Sequence, residues 1–206
     1  MRRLLCLTIL ALASLLSACS ILPKSEPLDV YLLPASTAEP AQPGAAPVAW
    51  SLRINTPLAS QLLDSTRIAV IPEGDRISAY QGARWSDKGP LLLRNRLIDA
   101  FLADGRMPAV SSDDARLQAD LEINTDLRAF QSDYLDGRPA AHILLDARLV
   151  NTASQRIVAS RRFEVRQPAV DTSVPAVVRA FGLASDQLSS QLLEWTWTQG
   201  HAQHQR

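Results

Sequence analysis

The chain has 206 residues, and its 21 basic and 21 acidic side chains give a formal net charge of +0 at pH 7. This balance excludes the strongly basic nucleic-acid-binding classes, so we expect no nucleic-acid partner, while a hydrophobic fraction of 47% is enough for one domain with a packed core. The two cysteines, Cys6 and Cys19, exclude a small secreted scaffold that depends on several disulfides.

The chain begins with the three zones of a secretory signal peptide. Two arginines supply a positive start, an apolar stretch covers residues 4–16, and two small residues follow it. This apolar stretch is shorter than the roughly 20 residues that a helix needs to span a bilayer. The pattern therefore predicts an export signal over residues 1–18.

The sequence Leu16-Ser17-Ala18-Cys19 resembles the bacterial lipobox, in which a leucine and two small residues precede a cysteine. That resemblance implies transfer of diacylglycerol to the Cys19 thiol, cleavage before Cys19, and N-acylation of the new amino group. Two or more acyl chains hold a protein stably at a membrane, whereas one chain binds marginally. We expect Cys19 to be the lipid attachment residue, with no cofactor besides this covalent lipid. The alternative is a plain signal peptide beside an incidental cysteine.

The residues after the cysteine predict where the anchor lies and how the domain hangs from it. Ser20 stands where bacterial lipoproteins retained in the inner membrane typically carry Asp, so we expect the outer membrane, with the domain facing the periplasm. Residues 19–28 have two prolines and mixed charge and are expected to form a lipidated tether. A single domain over 29–198 follows, with a Pro/Ala-rich loop at 34–49 and a polar tail at 199–206.

Alternating apolar residues predict short strands in the first half of the domain. The segment 29–33 is β-prone, and the sequence WSLRI at 50–54 places its apolar residues on one face. The segments TRIAVI at 66–71 and RISAY at 76–80 enclose a turn of Pro, Glu, Gly and Asp. These two segments therefore predict a hairpin.

The first helix is predicted over residues 87–103. Leu93, Leu97 and Phe101 recur at helical spacing and form one buried face, and Gly105 suits a left-handed cap at the end. Charged and polar residues are expected on the other, exposed side of this helix: Arg94, Asn95, Arg96 and Asp99.

Three long strands are predicted next, at about 119–130, 141–150 and 156–165. In each of them alternate residues are apolar and most of the others are polar or charged, which is typical of a sheet with one face in water. Asp136 and Gly137 supply one turn and the polar segment 151–155 supplies the second. The strands should therefore form an antiparallel meander.

A last helix is predicted over residues 174–197, followed by the polar tail, which we expect to fray. Its apolar residues recur at spacings of three and four: Val177, Phe181, Ala184, Leu188, Leu192 and Trp195. Sheet and helix stripes must cover each other. The predicted fold is therefore α+β, with two amphipathic helices packed on one face of a largely antiparallel sheet.

The sequence contains none of the catalytic or metal-binding motifs for which we searched, among them GxSxG, HExxH and CxxC. His142 lies on the polar face of a predicted strand without a nucleophile in view. Asp113 and Asp114 fall in a loop, where solvated turn chemistry is the expected role. We therefore expect a protein that is not an enzyme and binds no metal.

Four side chains are candidates for contact with a partner protein. Arg161 and Arg162, together with Arg166, form a basic patch around the end of the last strand, which could meet phospholipid headgroups or an acidic partner. Such charges can also simply discourage pairing at a sheet edge. Trp197 lies away from the apolar stripe of the last helix, and Trp85 precedes the first helix. Exposed tryptophans often mark contact surfaces.

One combination of features extends over most of the chain. A lipobox precedes the short strand YLL at 31–33, and Trp85 is followed by Pro90 and a leucine-rich amphipathic helix. From about residue 31 to residue 195 the sequence resembles the auxiliary lipoprotein family of ABC-type transport systems. The plain role of Trp85 and Pro90 in this pattern is to fix the junction between sheet and helix.

The resemblance implies a non-enzymatic outer-membrane component of an MCE-type intermembrane phospholipid transport system. Its implied partner is a periplasmic MCE-domain protein that reaches across from an inner-membrane permease and ATPase, and a homo-oligomer is compatible with this role. Two other classes stay open. One is an outer-membrane assembly lipoprotein that plugs or chaperones a β-barrel, and the other is a lipid-anchored periplasmic hydrolase.

Overall fold

The computed structural model describes residues 27–36 and 47–204. The predicted signal peptide, Cys19, and most of the tether and of the Pro/Ala-rich loop lie outside the described residues. The described elements are β1 (Asp29–Tyr31), β2 (Leu52–Ile54), β3 (Leu58–Ala59), β4 (Arg67–Glu73), β5 (Arg76–Trp85), α1 (Gly89–Asp104), β6 (Val110–Ser112), β7 (Leu121–Leu135), β8 (Arg138–Asn151), β9 (Arg156–Pro168) and α2 (Val174–His204).

The described strands belong to one sheet built around β7. β8 pairs antiparallel with β7 along its whole length, and β9 pairs antiparallel with β8. The other edge of β7 is occupied in turn by β2, β3 and β4, which run parallel to it. β5 lies antiparallel beyond β4, β1 lies parallel outside β5, and β6 lies parallel outside β2. The α+β class with a largely antiparallel sheet is confirmed, and the parallel pairs of short strands are an addition to it.

A tight turn and a bulge set the register of the β7–β8 hairpin. Asp136 and Gly137 have φ of 50° and 75°, as a two-residue hairpin turn requires. Between Leu127 and Ala129 the register shifts by one residue. The core-facing residues of β7 are therefore odd-numbered before this bulge and even-numbered after it. Phe130 enters the core, and Ala129 faces the opposite side, contrary to the predicted alternation.

α1 follows the predicted helix closely, and both helices cover the apolar face of the sheet. Gly105 ends α1 with φ of 76°, and Leu93, Leu97 and Phe101 are fully buried. These side chains share one core with the apolar residues of β7, β8 and α2.

The other side of α1 is not exposed throughout, which corrects the sequence prediction. Arg94 and Arg96 are each only 5% exposed. The guanidinium of Arg96 forms an ion pair with Asp186 on α2, so this charge ties the two helices together. A buried arginine of this kind needs a carboxylate partner that sequence spacing does not reveal.

α2 continues past the predicted end at residue 197 and reaches His204. The ring of His204 stacks on that of Trp50 with centroids 5.7 Å apart, and Gly200 is buried beneath the Trp50 ring. The part of the predicted polar tail that the structure describes is therefore helical and packed against the start of β2.

The close approach at Gly200 predicts an unusual response to alanine. A Cβ atom there would lie 2.6 and 2.8 Å from ring carbons of Trp50. Helix propensity favours alanine over glycine by about 1 kcal/mol, but overpacking against a ring typically costs about 1–3 kcal/mol. We expect Gly200→Ala to lower the free energy of unfolding measured in urea.

The background variant Trp50→Leu provides the control for this prediction. With the ring removed, Gly200→Ala should become neutral or stabilising. An equal loss of stability in both backgrounds would show that the contact with Trp50 is not the cause.

Candidate functional site

Trp85 belongs to the core and is not available to a partner. Its side chain is 1% exposed and meets the ring of Phe181 edge-on at 5.3 Å between centroids, with Phe130 at 6.0 Å. These rings join the end of β5 to β7 and α2, beside the first turn of α1. Trp85 is therefore a junction residue, and the sequence-based hypothesis that it contacts a partner does not fit this position.

Trp197 lies half-buried on α2 and is held by two neighbours. The guanidinium of Arg106 lies 5.3 Å from its ring centroid, and the ring of His201 stacks on it at 5.5 Å. Arg106 in turn pairs with Asp104 and Glu194, and the hydrogen bonds that its guanidinium donates to these carboxylates raise the pKa of Arg106 above its usual value. Trp197 is therefore partly accessible, with its ring packed against Arg106 and His201.

Arg161 and Arg162 are neighbours in sequence but lie on opposite faces of β9. Arg162 donates two hydrogen bonds to Asp146, at 2.6 and 2.8 Å. The guanidinium of Arg161 lies 4.9 Å from the ring centroid of Phe163, on the side of the helices. The predicted basic patch is thus divided between two surfaces.

The sheet face opposite the helices carries a ladder of paired charges across β7, β8 and β9. The hydrogen bonds from Arg162, together with Arg128, lower the pKa of Asp146 to about 2. His142 bridges the neighbouring strands, with Nδ1 2.7 Å from Asp133 and Nε2 3.0 Å from Glu164. Nε2 forms a hydrogen bond with Glu164 on β9, whereas Nδ1 lies close to Asp133 on β7 without the geometry of a hydrogen bond.

A groove of about 490 Å³ lies between β9 and α2. Arg161 forms the lip on β9, and Trp195 lies at the floor, 7% exposed and edge-on to Phe163 at 5.7 Å. The lining residues that α2 contributes are Ser190, Gln191, Glu194, Trp195, Thr198 and Gln199. Of the four predicted contact residues, the structure places Arg161 in this groove.

A second candidate surface is the apolar row on β1. Leu28, Val30 and Leu32 point to the same side and are 48%, 52% and 73% exposed. Tyr31 and Leu33 point inward and pack against the core. The first described strand therefore presents apolar side chains to its surroundings directly after the predicted tether.

The sequence-based interpretation missed a buried arginine site at the loop after β6. Nη1 of Arg94 lies 2.7 Å from carboxylate oxygens of both Asp113 and Asp114, and it donates a hydrogen bond to Thr56. Burial raises the pKa of Asp113, but the hydrogen bond from the Thr56 N–H and those from Arg94 outweigh it and hold the pKa below the usual value. These two aspartates fasten the loop to α1, with Asp113 partly buried and the side chain of Asp114 72% exposed.

Two further properties concern the described residues alone. Residues 27–36 and 47–204 contain no group of three or more His, Cys, Asp or Glu side chains arranged to hold a metal ion. Neither of the described helices combines the length and the hydrophobicity needed to cross a bilayer.

Comparison with known proteins gives a family and a relative. Residues 31–192 match the family described as "ABC-type transport auxiliary lipoprotein component". An uncharacterized protein of Bradyrhizobium diazoefficiens is 32% identical over 156 residues, which make up 75% of this chain and 41% of that protein. The chain therefore spans less than half the length of this curated relative.

Solved structures share the same fold. Protein XCC0632 of Xanthomonas campestris is 33% identical, with a TM-score of 0.80 over 86% of this chain and 99% of that one. A second structure, titled as an uncharacterized protein, is 17% identical, with a TM-score of 0.63 over 82% of this chain and 98% of that one. At 17% identity the second likeness concerns the fold alone.

The ion pair between Arg162 and Asp146 predicts how stability depends on pH. Because the pKa of Asp146 is about 2 in the folded state and about 4 when unfolded, its contribution is complete above about pH 4 and disappears as the pH falls through about 2. In Arg162→Gln, Arg128 remains near Asp146, so the carboxyl should titrate at a higher pH but below about 4.

Urea unfolding measured between pH 2 and pH 6 checks this prediction. The stability difference between wild type and Arg162→Gln should be largest above pH 4 and should vanish towards pH 2. Arg156→Gln is the matched control, because Arg156 is an exposed arginine of the same strand that forms no ion pair with the described residues. Identical pH profiles for both variants would contradict the assignment.

Proposed function

The chain belongs to the family of ABC-type transport auxiliary lipoprotein components, and on this basis we propose that it serves an MCE-type intermembrane lipid transport system at the outer membrane. The match over residues 31–192 carries the proposal, because it covers nearly all of the described domain. In this role the protein is a non-enzymatic component. It positions or receives a periplasm-spanning partner.

The proposed anchor is the lipid on Cys19, within the lipobox at 16–19. Ser20, in the position after the cysteine, supports the outer membrane because Asp is the residue expected there for retention in the inner membrane. The acyl chains would hold the protein stably, since two or more chains suffice where one is marginal.

The tether limits how far the domain can move from the membrane. From Cys19 to Asp29, where β1 begins, the chain advances ten residues, which span at most roughly 35 Å when fully extended. The domain would therefore remain in a thin layer beneath the outer membrane. Confinement of this kind raises the effective concentration of the domain for a partner that reaches the same layer.

The proposed partner is the MCE-domain protein of the same transport system. Such a protein would approach the lipoprotein from the periplasmic side, opposite the anchor. The mechanism is positional: the lipoprotein binds the end of the MCE-domain protein that reaches the outer membrane. It thereby holds that end at the membrane with which lipid is exchanged. The alternative role is that of a protein that plugs or chaperones a β-barrel. The partner experiment must distinguish this role from the transport role.

Labelling of cells with radioactive palmitate tests the anchor. Wild-type protein should carry label and sediment with outer membranes, whereas Cys19→Ala should carry no label and lose the membrane association, because it has no thiol at the lipobox position for diacylglycerol transfer. Cys6→Ala is the matched control, since Cys6 lies within the predicted signal peptide, and it should be labelled like wild type. Equal labelling of wild type and Cys19→Ala would overturn the proposed anchor.

Crosslinking in intact cells followed by affinity capture from detergent extracts tests the partner. We expect recovery of an MCE-domain protein by wild type and markedly less recovery by Cys19→Ala, because the variant is no longer confined to the membrane. Recovery of a β-barrel without any MCE-domain protein would contradict the proposal and favour the assembly role.

A further inference from the structure

β9 presents an open edge to the surroundings of the protein. It pairs with β8 on one side, and no strand within 27–36 or 47–204 pairs with its other side. β1 and β6 also end the sheet, but each has three residues, and β5 has no described strand beyond it over residues 76–82. β9 is longer than each of these open stretches, with 13 residues. A long strand with unpaired N–H and C=O groups is a ready template for another strand.

The groove beside this edge adds a place for side chains. α2 runs along β9, and Trp195 supplies an aromatic floor between them. A strand added to an open edge directs alternate side chains to one face of the sheet. Every second side chain of a strand added to β9 would therefore point towards the groove.

Charge distinguishes Arg161 from Arg162 and Arg166 on the same strand. Arg162 is neutralised by Asp146, and Arg166 by Asp133 and Glu164. Arg161 forms no ion pair with the described residues, and its guanidinium rests over the ring of Phe163. An exposed arginine held on an aromatic ring is preorganised to receive a carboxylate.

We propose that the β9–α2 groove binds an extended segment of a partner protein by β-strand addition, with a carboxylate on Arg161 and an apolar side chain against Trp195. Strand addition supplies main-chain hydrogen bonds, and the groove supplies the choice of side chains. This inference goes beyond the proposed function. It specifies the chemistry of the docked segment, whichever protein provides that segment.

A second copy of this chain fits the edge less well than an acidic segment does. Two arginines of β9, Arg156 and Arg161, form no ion pair with the described residues. Pairing of two β9 strands would bring arginines of both copies to the same interface, and like charges on paired strands are destabilising. The unpaired Arg161 instead favours a segment with acidic residues.

A labelled peptide provides the probe for this site. The acetylated and amidated sequence Thr-Leu-Thr-Glu-Thr-Leu-Thr places leucine and glutamate on one face of a strand. Binding to the full-length protein in detergent micelles is followed by fluorescence anisotropy. We expect saturable binding at up to millimolar peptide, and no saturation over that range would overturn the proposal.

Two matched charge reversals test the role of Arg161. Arg161→Glu should weaken binding of the glutamate peptide about tenfold or more, because a charge-assisted hydrogen bond is lost and like charges then meet. The same variant should bind a peptide with lysine in place of glutamate better than wild type does. Arg156→Glu, on the same strand but outside the groove, should bind like wild type. Equal effects of the two variants would overturn the proposal.

Backbone chemistry separates strand addition from simple adsorption. N-methylation of alternate peptide amides should abolish binding in the pattern that blocks the N–H groups facing β9 and should preserve it in the opposite pattern. Hydrogen exchange should slow within residues 156–168 when peptide is bound. Unchanged exchange in β9, or binding insensitive to both methylation patterns, would contradict strand addition.

Self-association and the cellular role have separate readouts. Dimerisation of wild type, detected by sedimentation and accompanied by slower hydrogen exchange within residues 156–168, would favour a second copy as occupant and overturn the assignment to a partner segment. The peptide assay requires neither the membrane nor a transporter. Failure to recover an MCE-domain protein would therefore overturn the proposed function and leave the peptide result intact.

Discussion

The contact among the rings of Trp85, Phe130 and Phe181 is the constraint on which the rest of the fold depends. Trp85 ends β5, Phe130 lies on β7 just after its bulge, and Phe181 lies on α2. Three elements that are distant in sequence thus converge at the point where α1 begins. Gly89 fits there because a Cβ atom would lie 3.0 Å from the ring of Phe130. In the sequence, this junction corresponds to the pattern of Trp85 followed by Pro90 and a leucine-rich helix.

The two faces of the sheet satisfy different physical requirements. One face is apolar and is covered by α1 and α2. The other is polar, and its arginines, carboxylates and His142 pair across β7, β8 and β9. A face whose charges already have partners offers little to a binding segment, since each contact would have to replace an existing one. Arg161 differs because it turns to the helix side, where no carboxylate meets it among the described residues.

Sequence patterns predicted the long elements well because their periodicity follows directly from burial. The meander of β7, β8 and β9, the helix α1 and its Gly105 cap were all predicted, and the structure confirms them. Short strands such as β3 and β6 carry too few residues for a period, so only tertiary pairing with β7 and β2 defines them. The bulge after Leu127 places Ala129 on the face opposite to the predicted one. The bulge was not predicted because one extra residue leaves no mark in the composition.

The candidate site was partly predictable for the same reason. Arg161 and Arg162 look alike in sequence, and alternation alone assigns them to opposite faces. Arg162 finds its partner because strand pairing places Asp146 of β8 opposite it. Arg161 instead lies over Phe163, two residues along the same strand. Trp85 and Trp197 were both plausible surface residues, and packing decided between them. Arg94 shows the converse case, in which a charged side chain on a helix is buried by a loop that approaches it from elsewhere.

The parallel attachment of β1 to β5 has a mechanical consequence. β1 is held by three residue pairs at the rim of the sheet and by Pro34 lying against Gly182 of α2. If the protein hangs from its N-terminal side, any tension between the membrane and a bound partner enters the domain through this strand. β1 would then detach before the long strands are disturbed, and its residues would add to the length of the tether. Under such tension the connection to the membrane would lengthen and the core would stay folded.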